Sequence, residues 1–499
     1  MLGTPLVVPT EASKPMSLLR QSAIAALSAV LLSGSRFAFT AILTRRLSVD
    51  SFGRFAYAQW LVDIAFLVCA LGATGAVSRY AAEFRENDRS LQAFMGAWRR
   101  WALGLPMVGG IVVLLGAWLS GYALDDWGHL YLAVWAVASG VMAMQMAALS
   151  GFQRFDLIFR SNLIFAIVIL AGAGLLPFDS IGSSGLFALM AVASGAATLP
   201  GLGVTSLLKT IDSPTLSTDQ SRRIRNYALN MWLVALLWSL VWSRGELPIV
   251  KALLGDEGVA SYVAVLTLFG GAIQGVMLGV SAVAPQLTSL WGNGRKDEAV
   301  ALGRSLMDLQ LLVCGCAALF LIYMGPELLS LAFGAQYRAH STALAIISIG
   351  LVTMAVASQN HLLQIATDGR FSRNTLVFSL FVLMGLAFAL TSQLGIAGAA
   401  AARSSTMLLL AGLAIYSSID RWGHRAVSLQ NIATTGLAIF ASVFVSAFSS
   451  EMGIFMRGLM MTLTALVLMG LIKDASGKPK ALDLLQNISR RLRFASDQN

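Results

Sequence analysis

Stretches of roughly twenty apolar residues, separated by short polar connections, recur from end to end of this chain, and that spacing leaves few folds open. A helix needs about 20 such residues to cross a hydrocarbon core, whereas an outer-membrane barrel shows alternating segments of about ten. Of 499 residues, 57% are apolar and 12% charged, where soluble domains carry roughly a quarter charged. The expected fold class is an all-α polytopic membrane protein with about fourteen transmembrane helices.

The spans read 20–43, 55–78, 101–122, 129–150, 157–177 and 184–207, then 227–252, 260–288, 305–325, 341–366, 374–393, 395–418, 430–449 and 453–472. They imply a disordered cytoplasmic leader (1–19), an N-terminal six-helix lobe (20–208), a cytoplasmic linker (209–226), a C-terminal six-helix lobe (227–418), two extra helices (419–472) and a basic cytoplasmic tail (473–499). Pro5, Pro9 and Pro15 mark the leader, and Pro214 with its neighbouring serines marks the linker. The tail, KPKALDLLQNISRRLRF, is suited to lie along the membrane surface as an amphipathic helix. Lys14 and Arg20 before an apolar stretch imitate a signal peptide, but that stretch continues to Leu43 and reads as an uncleaved first span.

The net charge of +10 resides in loops. With the N-terminus inside, Arg79, Arg99, Arg100, Arg154, Arg160, Arg222, Arg223, Arg225, Arg295, Lys296, Arg370, Arg373, Arg421 and Arg425 all fall on the cytoplasmic side. The other side receives few bases, chiefly Arg45, Arg46, Arg54, Lys251 and Arg338, together with Asp125–Asp126 and Asp256–Glu257. This bias predicts that both termini are cytoplasmic, and it accounts for the basic charge without nucleic acid. Cys69, Cys314 and Cys316 lie inside apolar segments, which leaves neither a disulfide framework nor a metal site.

The chain also repeats. LSVDSFGRFAYAQ at 47–59 is echoed by LLGDEGVASYVAV at 253–265, LSGFQRF ending at Phe155 by IATDGRF ending at Phe371, and IGSSG at 181–185 by LGIAG at 394–398. Three anchors in the same order predict two six-helix halves of the same orientation, since six spans return a chain to its starting side. Parallel repeats of this kind place a substrate site at their interface.

Charged groups inside the spans are the functional candidates, because a charge at membrane depth is costly unless it pairs or meets water. An antiparallel hairpin turning near residue 49 puts Arg36 and Asp63 at similar depth. Ser22, Ser33, Arg36, Thr40 and Thr44 share one narrow face of the first span, and Gln59, Asp63, Thr74 and Ser78 one face of the second. Two such stripes on adjacent helices imply a shared hydrated surface, with Arg36 suited to a diphosphate. Asp63 either holds Arg36 or binds a coupling ion, and a purely structural Arg36–Asp63 pair is the alternative. Arg403, deep in the twelfth span, is expected either to face the cavity from the second half, as Arg36 does from the first, or to make a structural contact. Glu246, close to Arg244 and Pro248, marks a broken helix that serves as an ion site, a gate or a simple kink. Gln274 adds a polar group in span eight. His361 titrates in the useful range but lies towards the cytoplasmic end, where hydration explains it.

The LTRRLSVDSFGRFAYA opening, LPIVKALLGDEGVASY, the APQL and GNGRKDEA segments around Pro285, LLSLAFGAQY at 328–337 and LGIAGAAAA at 394–402 resemble the polysaccharide flippases of the multidrug/oligosaccharidyl-lipid/polysaccharide exporter superfamily. The resemblance implies two six-helix lobes around a central cavity, often with two further C-terminal helices, and transfer of undecaprenyl-diphosphate-linked oligosaccharide to the periplasmic leaflet by alternating access. It implies that glycan and the membrane lipids as partners, with a polysaccharide polymerase and a chain-length regulator as further candidates. It implies no cofactor beyond H+ or Na+ coupling. The family often has an acid–base pair in span seven, where this chain has Glu246 followed by Leu247 and Arg244 two residues earlier.

Two other functions compete. A drug/cation antiporter of the same superfamily favours an acid-dominated cavity, whereas Arg36 and Arg403 favour an anionic cargo. A membrane enzyme such as a polysaccharide polymerase needs a polar site, usually on a sizeable external loop, and the predicted loops are of ordinary length. The chain also has no GxxxxGK[ST] motif for direct ATP use. The expectation is a transporter with no covalent chemistry.

Overall fold

A computed structural model describes residues 18–84, 88–122, 126–202, 216–367, 369–448 and 453–473. The leader, the first part of the linker and the tail expected from sequence lie outside these residues, apart from Leu18, Leu19 and Lys473. Among the described residues, twelve helical stretches are long and apolar enough to span a membrane. Two of them, Thr218–Gln274 and Arg370–Trp422, are of double length and reverse at Gly255 (φ 69°, ψ −162°) and Gly395 (φ 59°, ψ −136°). Counting each half separately gives the fourteen spans expected.

The chain forms two compact units, Met1–Leu236 and Leu237–Asn499. The internal repeat reappears as matching backbone. Gly182 (φ 61°, ψ −160°) turns the chain ahead of the sixth span as Gly395 does ahead of the twelfth. Gln153 (φ 57°) occupies the left-handed region at the residue aligned with Gly369 (φ 78°), and each turn leads into the next span. These are conformations that L side chains resist, which is why turn residues survive as anchors where apolar helix positions drift.

In the first unit the Leu18–Arg46 and Val49–Cys69 helices meet at a turn of only two residues. Ser48 caps the second helix, its hydroxyl accepting from the Ser51 amide at 3.2 Å. The core joins four helices through rings. Phe55 stacks on Trp135 at 5.8 Å, Trp135 on Phe187 at 5.9 Å, and Phe39 meets Phe55 edge-on at 5.9 Å.

Span two departs from the continuous 55–78 helix expected. It ends at Cys69 and resumes as Ala73–Glu83, with Leu71 (φ 46°) and Gly72 (φ 76°) between. The cause is long-range: a Cβ on Gly72 would stand 1.9 Å from the Ala228 carbonyl oxygen, and the Trp232 indole N–H donates to the Leu67 carbonyl at 3.0 Å. The Thr218–Trp238 helix therefore seats directly on the break. Its first residues, 218–226, were expected in the linker and are helical instead.

In the second unit, buried polar contacts tie the two C-terminal helices, Leu429–Phe448 and Ile454–Leu471, to Lys296–Phe333. Asn431 donates to Asp308 Oδ1 at 2.9 Å, and Arg457 pairs with Glu327. Span ten, expected as one helix over 341–366, is α-helical at Ser341–Ser348, tightens to a 3-10 helix over Ile349–Val356, and continues as Ala357–Ala366.

Candidate functional site

The seventh span is interrupted where Pro248 withholds a backbone N–H. The helix widens to a π-helical turn over Ser239–Arg244 before Leu247–Gly292 begins, a feature often found at functional positions. Gly245 lets it close, for a Cβ there would lie 2.0 Å from the Leu240 carbonyl oxygen. The turn delivers Glu246 into the interior with 0% exposure.

Glu246 Oε1 accepts two hydrogen bonds. One comes from Arg403 Nη1 at 2.6 Å, the other from the Tyr262 hydroxyl. Arg403, 2% exposed, uses Nη2 to donate to the Trp242 carbonyl at the π turn. A guanidinium, a carboxylate, a phenol and a peptide carbonyl from three spans thus close on one another. Opposite charges in a dry site need such mutual satisfaction, and it is incomplete: Glu246 Oε2 and Arg403 Nε have no hydrogen-bond partner among the described residues. The group is net neutral and holds spans seven, eight and twelve together.

This decides between the two expectations for Arg403. Arg403 does not face an open cavity in this structure; its charge is enclosed because an acid 157 positions away reaches it. Arg244, half-buried and two positions from Glu246 on the helix, is not the base that meets it, as a separation of about 200° around a helix implies.

Arg36 sits differently. It is exposed on the Leu18–Arg46 helix, its guanidinium 5.8 Å from the Phe165 ring centroid, and no carboxylate pairs with it among the described residues. Asp63 is also exposed, Gln59 half-buried, and Thr40 donates its hydroxyl to the Arg36 carbonyl at 2.9 Å. The helices bearing Arg36 and Asp63 do not pack side by side as expected. The Leu18–Arg46 helix lies along Phe155–Leu175 and meets its sequence neighbour sparsely. Gln274 is exposed, and His361 Nε2 lies 3.1 Å from Thr288 Oγ1.

Tyr262, inside the repeated 253–265 segment, carried no charge to single it out; Asp308 and Arg457 were each readable as a charge inside an apolar span, and Glu327, just beyond the ninth span, was not.

No protein-family model matches the chain, and no curated protein matches it. Solved structures do. An inward-facing MATE family multidrug resistance transporter of the MOP superfamily is similar with a TM-score of 0.64 and 14% identity over 80% of this chain and 98% of its own. The lipid II flippase MurJ, in an inward closed conformation, gives 0.66 and 11% over 91% and 98%. A MOP superfamily transporter from Pyrococcus furiosus, described by a reversed polarity of its binding pocket, gives 0.59 and 13% over 82% and 95%. This chain is a multi-pass membrane protein with the fold of the MOP superfamily transporters.

Proposed function

We propose that the protein is a flippase for undecaprenyl-diphosphate-linked oligosaccharide, moving it across a bacterial inner membrane by alternating access. The observation that carries this reading is the exposed guanidinium of Arg36, about 15 Å of helix from the charged end at Arg46. A cation at that depth, without a carboxylate of its own among the described residues, suits an anionic headgroup such as a diphosphate. Glu246 is already neutralised by Arg403, so this buried acid is not presented to a cationic cargo. The sequence resemblance to polysaccharide flippases supports the same cargo. Both termini lie in the cytoplasm on this reading, following the loop charges.

Asp63, an exposed carboxylate in the same unit as Arg36, favours a second reading, an ion-coupled drug antiporter. A deletion strain separates the two. On the flippase reading it accumulates lipid-linked repeat units, and Arg36→Ala at native abundance does not relieve the accumulation. Raised drug sensitivity without accumulation overturns the flippase reading in favour of the antiporter.

A further inference from the structure

The π turn presents a second surface that the buried ion pair leaves unused. Trp238 and Trp242 stack with centroids 5.3 Å apart and planes at 26°. Trp238 is 49% exposed, Trp242 and Ser239 are half-buried, and Ser243 is exposed. Trp238 is thirteen residues from Arg225 and thirteen from Lys251, so about 20 Å of helix separates it from either charged end. Tryptophans of membrane proteins gather at the interfaces, where the indole N–H meets water. Here two indole N–H groups and two serine hydroxyls stand at mid-depth, and none has a hydrogen-bond partner among the described residues. Four unanswered polar groups against hydrocarbon would be costly; against water or a polar ligand they are not.

We infer that this face is a carbohydrate platform, binding a pyranose ring of the lipid-linked glycan. A pyranose offers an apolar C–H face to an aromatic ring and hydroxyls at its rim that both donate and accept, and stacked indoles flanked by N–H and O–H groups complement it. The platform is rigid, because Arg403 grips the Trp242 carbonyl and Gly245 closes the turn against Leu240. The ion pair thereby acquires a purpose on this face, holding the backbone that carries the rings. The inference rests on the flippase reading and assigns the sugar contact within it, apart from the phosphate contact at Arg36.

The test uses the full chain in a deletion strain. Trp238→Ala and Trp242→Ala lower glycan export about tenfold at native membrane abundance, the scale of one lost aromatic contact. The Trp238→Phe/Trp242→Phe variant, which keeps both stacking faces, retains most export. In nanodiscs, lipid-linked glycan extracted from the deletion strain changes the emission of this pair, obtained as the difference between wild type and the double Phe variant. Undecaprenyl phosphate, which lacks the sugar, leaves it unchanged. Normal export by both alanine variants overturns the platform. So does quenching of the pair by brominated phospholipid as strong as that of Trp118, which is 72% exposed. If Arg36→Ala abolishes export while the tryptophan variants do not, the platform alone falls; if the deletion strain accumulates no lipid-linked glycan, the flippase reading falls.

Discussion

Arg403 Nη1 lies 2.6 Å from Glu246 Oε1, and the two side chains are 2% and 0% exposed. Removing one member strands the other charge in the interior. Arg403→Ala and Glu246→Ala are each expected to lower stability by about 3–5 kcal/mol. Glu246→Leu/Arg403→Met recovers part of that loss, but not all, because the Tyr262 hydroxyl and the Trp242 carbonyl also lose their partners. Thermal unfolding of the purified single and double variants measures the coupling.

The break in span two makes opposite predictions for adjacent residues. Gly72→Ala forces a Cβ into the Ala228 carbonyl at a φ of 76°, and a loss of more than about 2 kcal/mol is expected. Leu71→Gly relieves a left-handed φ of 46° at a residue 45% exposed, and its effect is smaller, a gain of up to roughly 1 kcal/mol. The order of melting temperatures, Gly72→Ala below wild type and Leu71→Gly at or above it, is the check.

Two arginines meet Glu327 unequally. Arg457 is 5% exposed, while Arg338 is 54% exposed and reaches the same oxygen at 3.4 Å. Arg457→Ala leaves a half-sheltered carboxylate and loosens the Ile454–Leu471 helix, with an expected loss of about 3 kcal/mol. Arg338→Ala costs less than about 1 kcal/mol, as exposed pairs do. Limited proteolysis near residue 453 reads the difference: cleavage accelerates in the first variant and not in the second.

Arg36 distinguishes point charge from planar fork. If its guanidinium grips a diphosphate through paired hydrogen bonds, Arg36→Lys keeps the charge yet loses most export, falling nearer to Arg36→Ala than to wild type. Equal export by Arg36→Lys and wild type would mean that charge alone suffices there. Surface glycan measured at matched protein abundance decides it.

Membrane class, span number and the parallel repeat were all legible in the chain as written, because each depends on neighbours in sequence. A run of apolar residues long enough to cross a bilayer needs no distant partner, and a left-handed turn such as Gly395 is marked by the residue that tolerates it. Glu246 was readable as an unusual acid and Pro248 as a break. The identity of the base that answers that acid was not, because Arg244 is two positions away and Arg403 is 157. Only tertiary packing brought Arg403 to it, by setting span twelve against span seven. The same holds for Gly72, whose need to be glycine comes from a backbone oxygen at residue 228, and for Arg36, whose neighbour proved to be Phe165. Hydrophobic length is a local property, whereas the partner of a buried charge is decided by which helices meet.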